Sequence, residues 1–209
     1  MIGLAHKKEE ISMEETAVQR LARVLKLLVT AVLVLNLFCL LLVPGIVAYV
    51  SDGGPDLLVQ AMKEEVAMWL GQGNEAHFPM AVVFLTSWAA VWRGAYTSLL
   101  TLFYWLCGVC TALILWQAKK VLDTILAGEP FQLANAKALK GAAICCWLIS
   151  GAALVRLILW LWMERNAAPL FTYNTLFVPA FFMAGLLFLV MSALFRQAAE
   201  LKEDQDLTI

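Results

Sequence analysis

The sequence predicts an all-α integral membrane protein with four transmembrane helices in a bundle, and three observations carry the prediction. Of its 209 residues, 62% are hydrophobic and only 15% charged, and the mean hydropathy of +0.79 lies far above that of soluble domains. The apolar residues gather into four runs, at 27–50, 95–116, 141–163 and 175–195, each of 21 to 24 residues. A helix needs about 20 to cross a bilayer. No run alternates apolar with polar residues, which excludes the strands of a membrane barrel.

The first run has the look of a secretory signal, but its leader contains acids and its 24-residue apolar core exceeds a signal's ~7–15. It is read as an uncleaved signal anchor. Ser12 and Glu15 form a capping box, so the helix of span one is predicted to begin near Ser12.

Between spans one and two lies an outer amphipathic and interfacial segment, 55–92. "PDLLVQAMKEEVAMWLG" reads as a surface helix stopped by Gly71. "FPMAVVFLTSWAAVW", 78–92, is apolar but covers only ~22 Å as a helix, against a hydrocarbon core of ~30 Å. Interfacial, re-entrant and span-extending placements stay open for it.

Span two is predicted to continue through "QAKKVLDTILA" to Gly128 and Pro130, a C-terminal glycine followed by a helix-breaking proline. "FQLANAKALK" then leads helically into span three. The hairpin 117–140 thus extends beyond the bilayer, with Leu122, Ile125 and Leu126 expected to face Leu133, Ala136 and Leu139. Span four runs on into the tail 196–209 through "RQAAELKED". Pro44 and Pro179 are expected to kink spans one and four.

Loop charge sets the orientation. Eleven Lys and Arg fall in the leader, the hairpin and the tail, against Lys63, Arg93 and Arg165 on the other side. Both termini and the helical extensions are therefore expected in the cytoplasm.

The tail carries Glu200, Glu203, Asp204 and Asp206 near a helix C-terminus, where the macrodipole disfavours them by a few tenths of a kcal/mol each. Either the tail is solvated, or it docks on the hairpin lysines Lys119, Lys120, Lys137 and Lys140. Leu207 and Ile209 would serve as apolar anchors.

At these residues a resemblance emerges. "GEPFQLANAKALKGAA" and "LFRQAAELKEDQDLTI" resemble the YoaS-like family of bacterial membrane proteins, a family of unknown function (2975), over spans two to four and the tail. The matching positions are Gly128, Pro130, Phe131, Asn135, Leu139 and Gly141 in the hairpin. In the tail they are Glu200, Leu201, Glu203, Asp206, Leu207 and Thr208. The resemblance implies a four-span protein of the bacterial plasma membrane, often encoded beside a small helix-turn-helix regulator.

Signs of chemistry are few. His6 and His77 lie on opposite sides of span one, without neighbouring ligands at metal spacing. "CGVC", 107–110, resembles a pair in vitamin K epoxide reductases, but those enzymes relay electrons through a second, outer pair, and the outer loops here hold no cysteine. Cys39, Cys107, Cys110, Cys145 and Cys146 all fall in spans, where a thiol packs as a small hydrophobe. Arg156 is the one charge well inside a span, read first as a structural anchor and second as a ligand contact. Asn36 and Ser150 are expected to hydrogen-bond between helices.

The expected function is that of a non-enzymatic regulator or sensor, without catalytic residues, cofactor or metal. Its hairpin and tail would bind a soluble cytoplasmic partner, such as a helix-turn-helix transcription regulator, through Gly128, Pro130, Phe131, Asn135, Lys137 and Lys140 with Glu200, Leu201, Glu203, Asp206, Leu207 and Thr208. The chain has no nucleic-acid-binding module of its own, and self-association stays open. The alternatives are a membrane-embedded binding or permeation protein for a small apolar molecule and, third, a quinone-linked thiol redox enzyme.

Overall fold

The computed structural model describes residues 2–71, 80–164 and 173–206. All elements among them are helical: α1 (Ile2–Trp69), α2 (Met80–Ala90) followed by a 3₁₀ turn (Val91–Arg93), α3 (Ala95–Leu126), α4 (Leu133–Glu164), and α5 (Phe177–Asp206) preceded by a 3₁₀ turn (Tyr173–Leu176). Four stretches are long and apolar enough to cross a membrane: Gln19–Ala48, Ala95–Leu126, Leu133–Trp162 and Phe177–Gln205. They mark the chain as a multi-pass membrane protein. Large side chains such as Leu35, Leu41, Val155 and Leu187 lie exposed on their surfaces, as a lipid-facing helix requires.

Three boundaries differ from the sequence reading. Helix α1 begins at Ile2, so Ser12 is a helix-interior residue rather than a cap. The stretch before it, "GLAHKKEE", is rich in good helix formers that carry the helix back past the capping box. The same helix runs unbroken from the first apolar run through 51–56 into the segment read as a separate surface helix. Pro55 removes one backbone bond, whereas a break would leave four unmade groups at each of two new ends. Pro179 stands in the first turn of α5 and kinks nothing, because the N–H it lacks has no intrahelical partner at that position.

The chain divides into two compact units, Met1–Leu35 with Cys110–Ile209, and Asn36–Val109. In the second unit the helices meet through proline, glycine and aromatic residues. Pro44 has no N–H for the Leu40 carbonyl, and the Trp105 indole N–H donates to that carbonyl instead, at 3.1 Å. Directly after Pro44, Gly45 leaves the room that Phe84 of α2 fills: a Cβ there would stand 1.6 Å from the ring. Trp88 of α2 packs on Trp105 with centroids 5.2 Å apart. Helix α2, ~16 Å long, therefore lies alongside the apolar runs of α1 and α3 without the length to cross a membrane. Leu40 rests on Gly108, whose carbonyl accepts a 2.9 Å bond from the Asn36 amide.

The other unit uses small residues and hydroxyls. Along the α4–α5 contact, Gly185 leaves space for Trp147 and comes near the Ala143 carbonyl. Ser150 donates to the Val178 carbonyl at 2.8 Å and Ser192 to that of Ala136 at 2.7 Å. Cys145 and Cys146 are buried on α4, and Cys110 on α3 lies within hydrogen-bonding reach of Cys145. The interhelical roles expected of Asn36 and Ser150 are thus present. Among the described residues no group of His, Cys, Asp or Glu could hold a metal ion.

Candidate functional site

The turn between α3 and α4 is built by a few residues with distinct duties. Helix α3 ends in a Schellman motif: Gly128 takes φ +81°, its N–H reaches the Ile125 carbonyl at 3.1 Å, and the Glu129 N–H reaches that of Thr124 at 3.0 Å. A side chain is strained in this left-handed conformation, which accounts for the glycine. Pro130 follows where the helix has already ended.

Asn135 locks the turn from inside. Only 1% exposed, its amide donates to the Thr124 hydroxyl at 2.6 Å and to the Pro130 carbonyl at 2.7 Å. Its backbone N–H reaches the Gln132 carbonyl at 3.0 Å, and Thr124 in turn donates to Val121. Asn135 therefore cannot meet a soluble partner, contrary to its expected place on the binding surface. A single amide ties the end of one helix, the turn and the start of the next.

The remaining predicted residues are distributed as follows. Gly128, Lys137 and Lys140 are exposed, and Pro130 is half-buried. Phe131 is 49% exposed and packs its inner edge on Phe195 of α5, with centroids 5.9 Å apart. Glu200, Leu201 and Glu203 are exposed on α5, which ends at Asp206; Leu207 and Thr208 lie outside the described residues. Arg156 is half-buried on α4 and engaged rather than a bare charge.

The inner part of α5 lies along the hairpin through apolar and hydroxyl contacts: Ser192 on Ala136, Phe195 on Phe131, and Ala199 buried. Glu200 pairs with Arg196 of its own helix at 2.8 Å, not with a hairpin lysine. The i,i+4 geometry supplies the nearest cation, so this acid needs no distant one.

Sequence reasoning missed Thr124, Phe195 and Ser192, whose roles depend on which helices are neighbours. It also missed the ion pair between Lys26 of α1 and Asp123 of α3, 2.6 Å apart. The signal was present there: Lys26 stands at the edge of the first apolar run and Asp123 a short way past the second, on one membrane face.

The sequence profile of the family described as "Protein of unknown function (DUF2975)" matches residues 57–209. The chain belongs to this family. Comparison with curated proteins and with solved structures gives no match.

Proposed function

We propose that this DUF2975 protein is a non-enzymatic membrane regulator or sensor whose α3–α4 hairpin and α5 extension capture a soluble partner on the cytoplasmic side. Phe131, Leu133 and Leu201 carry this reading. They are 49%, 39% and 63% exposed, on segments past the apolar runs in which Lys, Gln, Glu and Asp are interspersed. They stand at the charged ends of the long helices and in the turn, outside the apolar runs themselves, where a protein contact accounts for such exposure better than lipid does. Exposed aromatic and aliphatic side chains on a surface rimmed by charge are the usual anchors of a protein contact. The excess of Lys and Arg in the leader, hairpin and tail supports a cytoplasmic location for the hairpin and both termini. The family resemblance to proteins encoded beside a helix-turn-helix regulator suggests such a regulator as the partner, held at a bacterial plasma membrane.

The test has two arms. In a cysteine-free background, a cysteine at Gln132 should resist a membrane-impermeant thiol reagent in intact cells, and one at Gln60 should label. Labelling at Gln132 would overturn the orientation. Crosslinking in native membranes should recover a DNA-binding regulator with the parent protein and lose it with Phe131→Ser and Leu201→Ser together. An unchanged yield from a folded double variant would overturn the contact surface.

A second reading has one observation in its favour. An open, mostly apolar depression of about 460 Å³ lies along one face of the end of α1, lined by Val59, Met62, Lys63, Val66 and Ala67 with Leu70 just past the helix. It suits a small apolar molecule, and retention of such a molecule through purification would support that function instead.

A further inference from the structure

Between α3 and α4, beside the turn, an open groove of about 350 Å³ presents Lys120 and Gln117 from one helix and Lys137 from the other. Ala134 and Ala138 keep it open, with Thr124 and Asn135 at its end. Its size is at the lower limit of small-ligand clefts, ~300–1,000 Å³. Two lysines are among its lining residues and no Asp or Glu is. Asp123, the one acid on this part of α3, is committed to Lys26. The Asn135 amide and the Thr124 hydroxyl are spent on the turn, so they shape the end of the groove without altering its charge. Two like charges facing one cleft repel, and an anion between them removes that cost.

The surroundings identify the anion. Trp116 is the last residue of the apolar run of α3, and Lys140 immediately precedes that of α4. The groove therefore opens at the level where headgroups meet hydrocarbon, whichever face of the membrane that is. Lys120 holds its ammonium 4.0 Å over the Trp116 ring, and that ring is half exposed, as interfacial tryptophans are. One to two turns into the apolar run from the groove, Leu113 on α3 and Ile144 on α4 are exposed and offer apolar surface to an acyl chain. A cationic cleft continued by an apolar rim fits an amphiphile with a negative head.

We infer that this groove binds the headgroup phosphate of an anionic glycerophospholipid, with Lys120 and Lys137 as its charge partners and Gln117 as a neutral donor. Basic pockets between transmembrane helices at the headgroup level have this chemistry in general. The site does not depend on a soluble partner or on the orientation proposed above.

The probes are phosphatidylglycerol, phosphatidylcholine and inorganic phosphate, added to delipidated full-length protein in neutral detergent. Binding is read by native mass spectrometry and by the shift in thermal unfolding, since a ligand of the folded state raises its stability. Phosphatidylglycerol should be retained and should raise the midpoint, whereas phosphatidylcholine should do neither. Lys120→Gln with Lys137→Gln should raise the phosphatidylglycerol concentration for half-maximal effect by roughly tenfold or more. Lys120→Arg with Lys137→Arg should keep most of the binding, and Lys63→Gln with Lys202→Gln should change nothing. The arginine pair keeps the test decisive if the glutamine pair does not fold, because loss of binding in a folded arginine pair counts against a charge-selected site. Equal retention by the glutamine pair overturns the inference, as does equal retention of phosphatidylcholine. Stabilisation by inorganic phosphate without retention of phosphatidylglycerol would overturn the lipid source and leave a soluble anion in its place.

Discussion

The α4–α5 contact and the α1–α2–α3 contact join apolar helices by opposite means. Between α4 and α5, glycine and alanine bring the backbones close, and serine hydroxyls donate to carbonyls of the facing helix. Around Pro44, the helix itself is short of a donor and an aromatic side chain supplies it. In lipid the hydrophobic effect does not drive helices together, so van der Waals contact and side-chain-to-backbone bonds must. The first contact gains by removing bulk from a regular backbone. The second gains by repairing an irregular one, which makes it intolerant of change at single atoms.

Substituting the glycines sharpens that comparison most. Gly45→Leu should cost about 3 kcal/mol or more, because the added atoms fall on the Phe84 ring. Adding Phe84→Ala should recover a large part, measured by thermal unfolding in detergent. Gly185→Ala adds one carbon and should cost less: its Cβ falls on Trp147, which is 38% exposed, and stands 3.2 Å from the Ala143 carbonyl. Equal costs at the two sites would remove the distinction between a tolerant and an intolerant contact.

Asn135→Ala comes next, at about 1–3 kcal/mol, since it strips the donor from two acceptors at the buried turn. Hydrogen exchange should accelerate at the amides of 124–135 and stay unchanged around Trp105. Exchange that is unaltered at the turn would mean that the amide does not hold it.

A smaller effect is expected from Trp105→Phe, about 1 kcal/mol, from loss of the indole N–H to Leu40. The cycle with Pro44→Ala makes the test strict. An alanine restores a backbone N–H for the Leu40 carbonyl, so Trp105→Phe should cost much less in that background. Equal costs in both would show that the indole serves packing alone.

The Lys26–Asp123 pair should matter least. Both side chains are about two-fifths exposed, and exposed pairs contribute about 0.2–1 kcal/mol. Asp123→Asn should lower the unfolding midpoint slightly at low salt and hardly at all at high salt. A large, salt-independent loss would place the pair in a drier setting than its exposure indicates.

What could be read in the chain beforehand follows from these cases. The four spanning lengths were legible because crossing hydrocarbon demands a continuous apolar run, whatever its neighbours. The stop at Gly128 was legible because a positive φ is a local demand that glycine meets locally. Asn135 was noticed but misplaced on a surface, since one amide in an alanine-rich helix gives no sign of facing inward. For the tail acids the sequence leaves a solvated end and a dock on the hairpin lysines both open, and Glu200 has its cation one turn away in Arg196.

The sequence by itself therefore determined the class, the four apolar helices, the helical hairpin and its glycine stop, all consequences of composition and short-range backbone geometry. Only the tertiary structure decided that α1 passes unbroken through Pro55, that Trp105 serves Leu40, that Asn135 closes the turn and that two lysines share one groove. The last three of these outcomes depend on which side chains meet across helices. In the chain their separations run from Thr124 to Asn135, eleven residues, up to Leu40 to Trp105, sixty-five. No periodicity within one helix encodes such a meeting, because it depends on how the helices pack and not on the sequence of either alone.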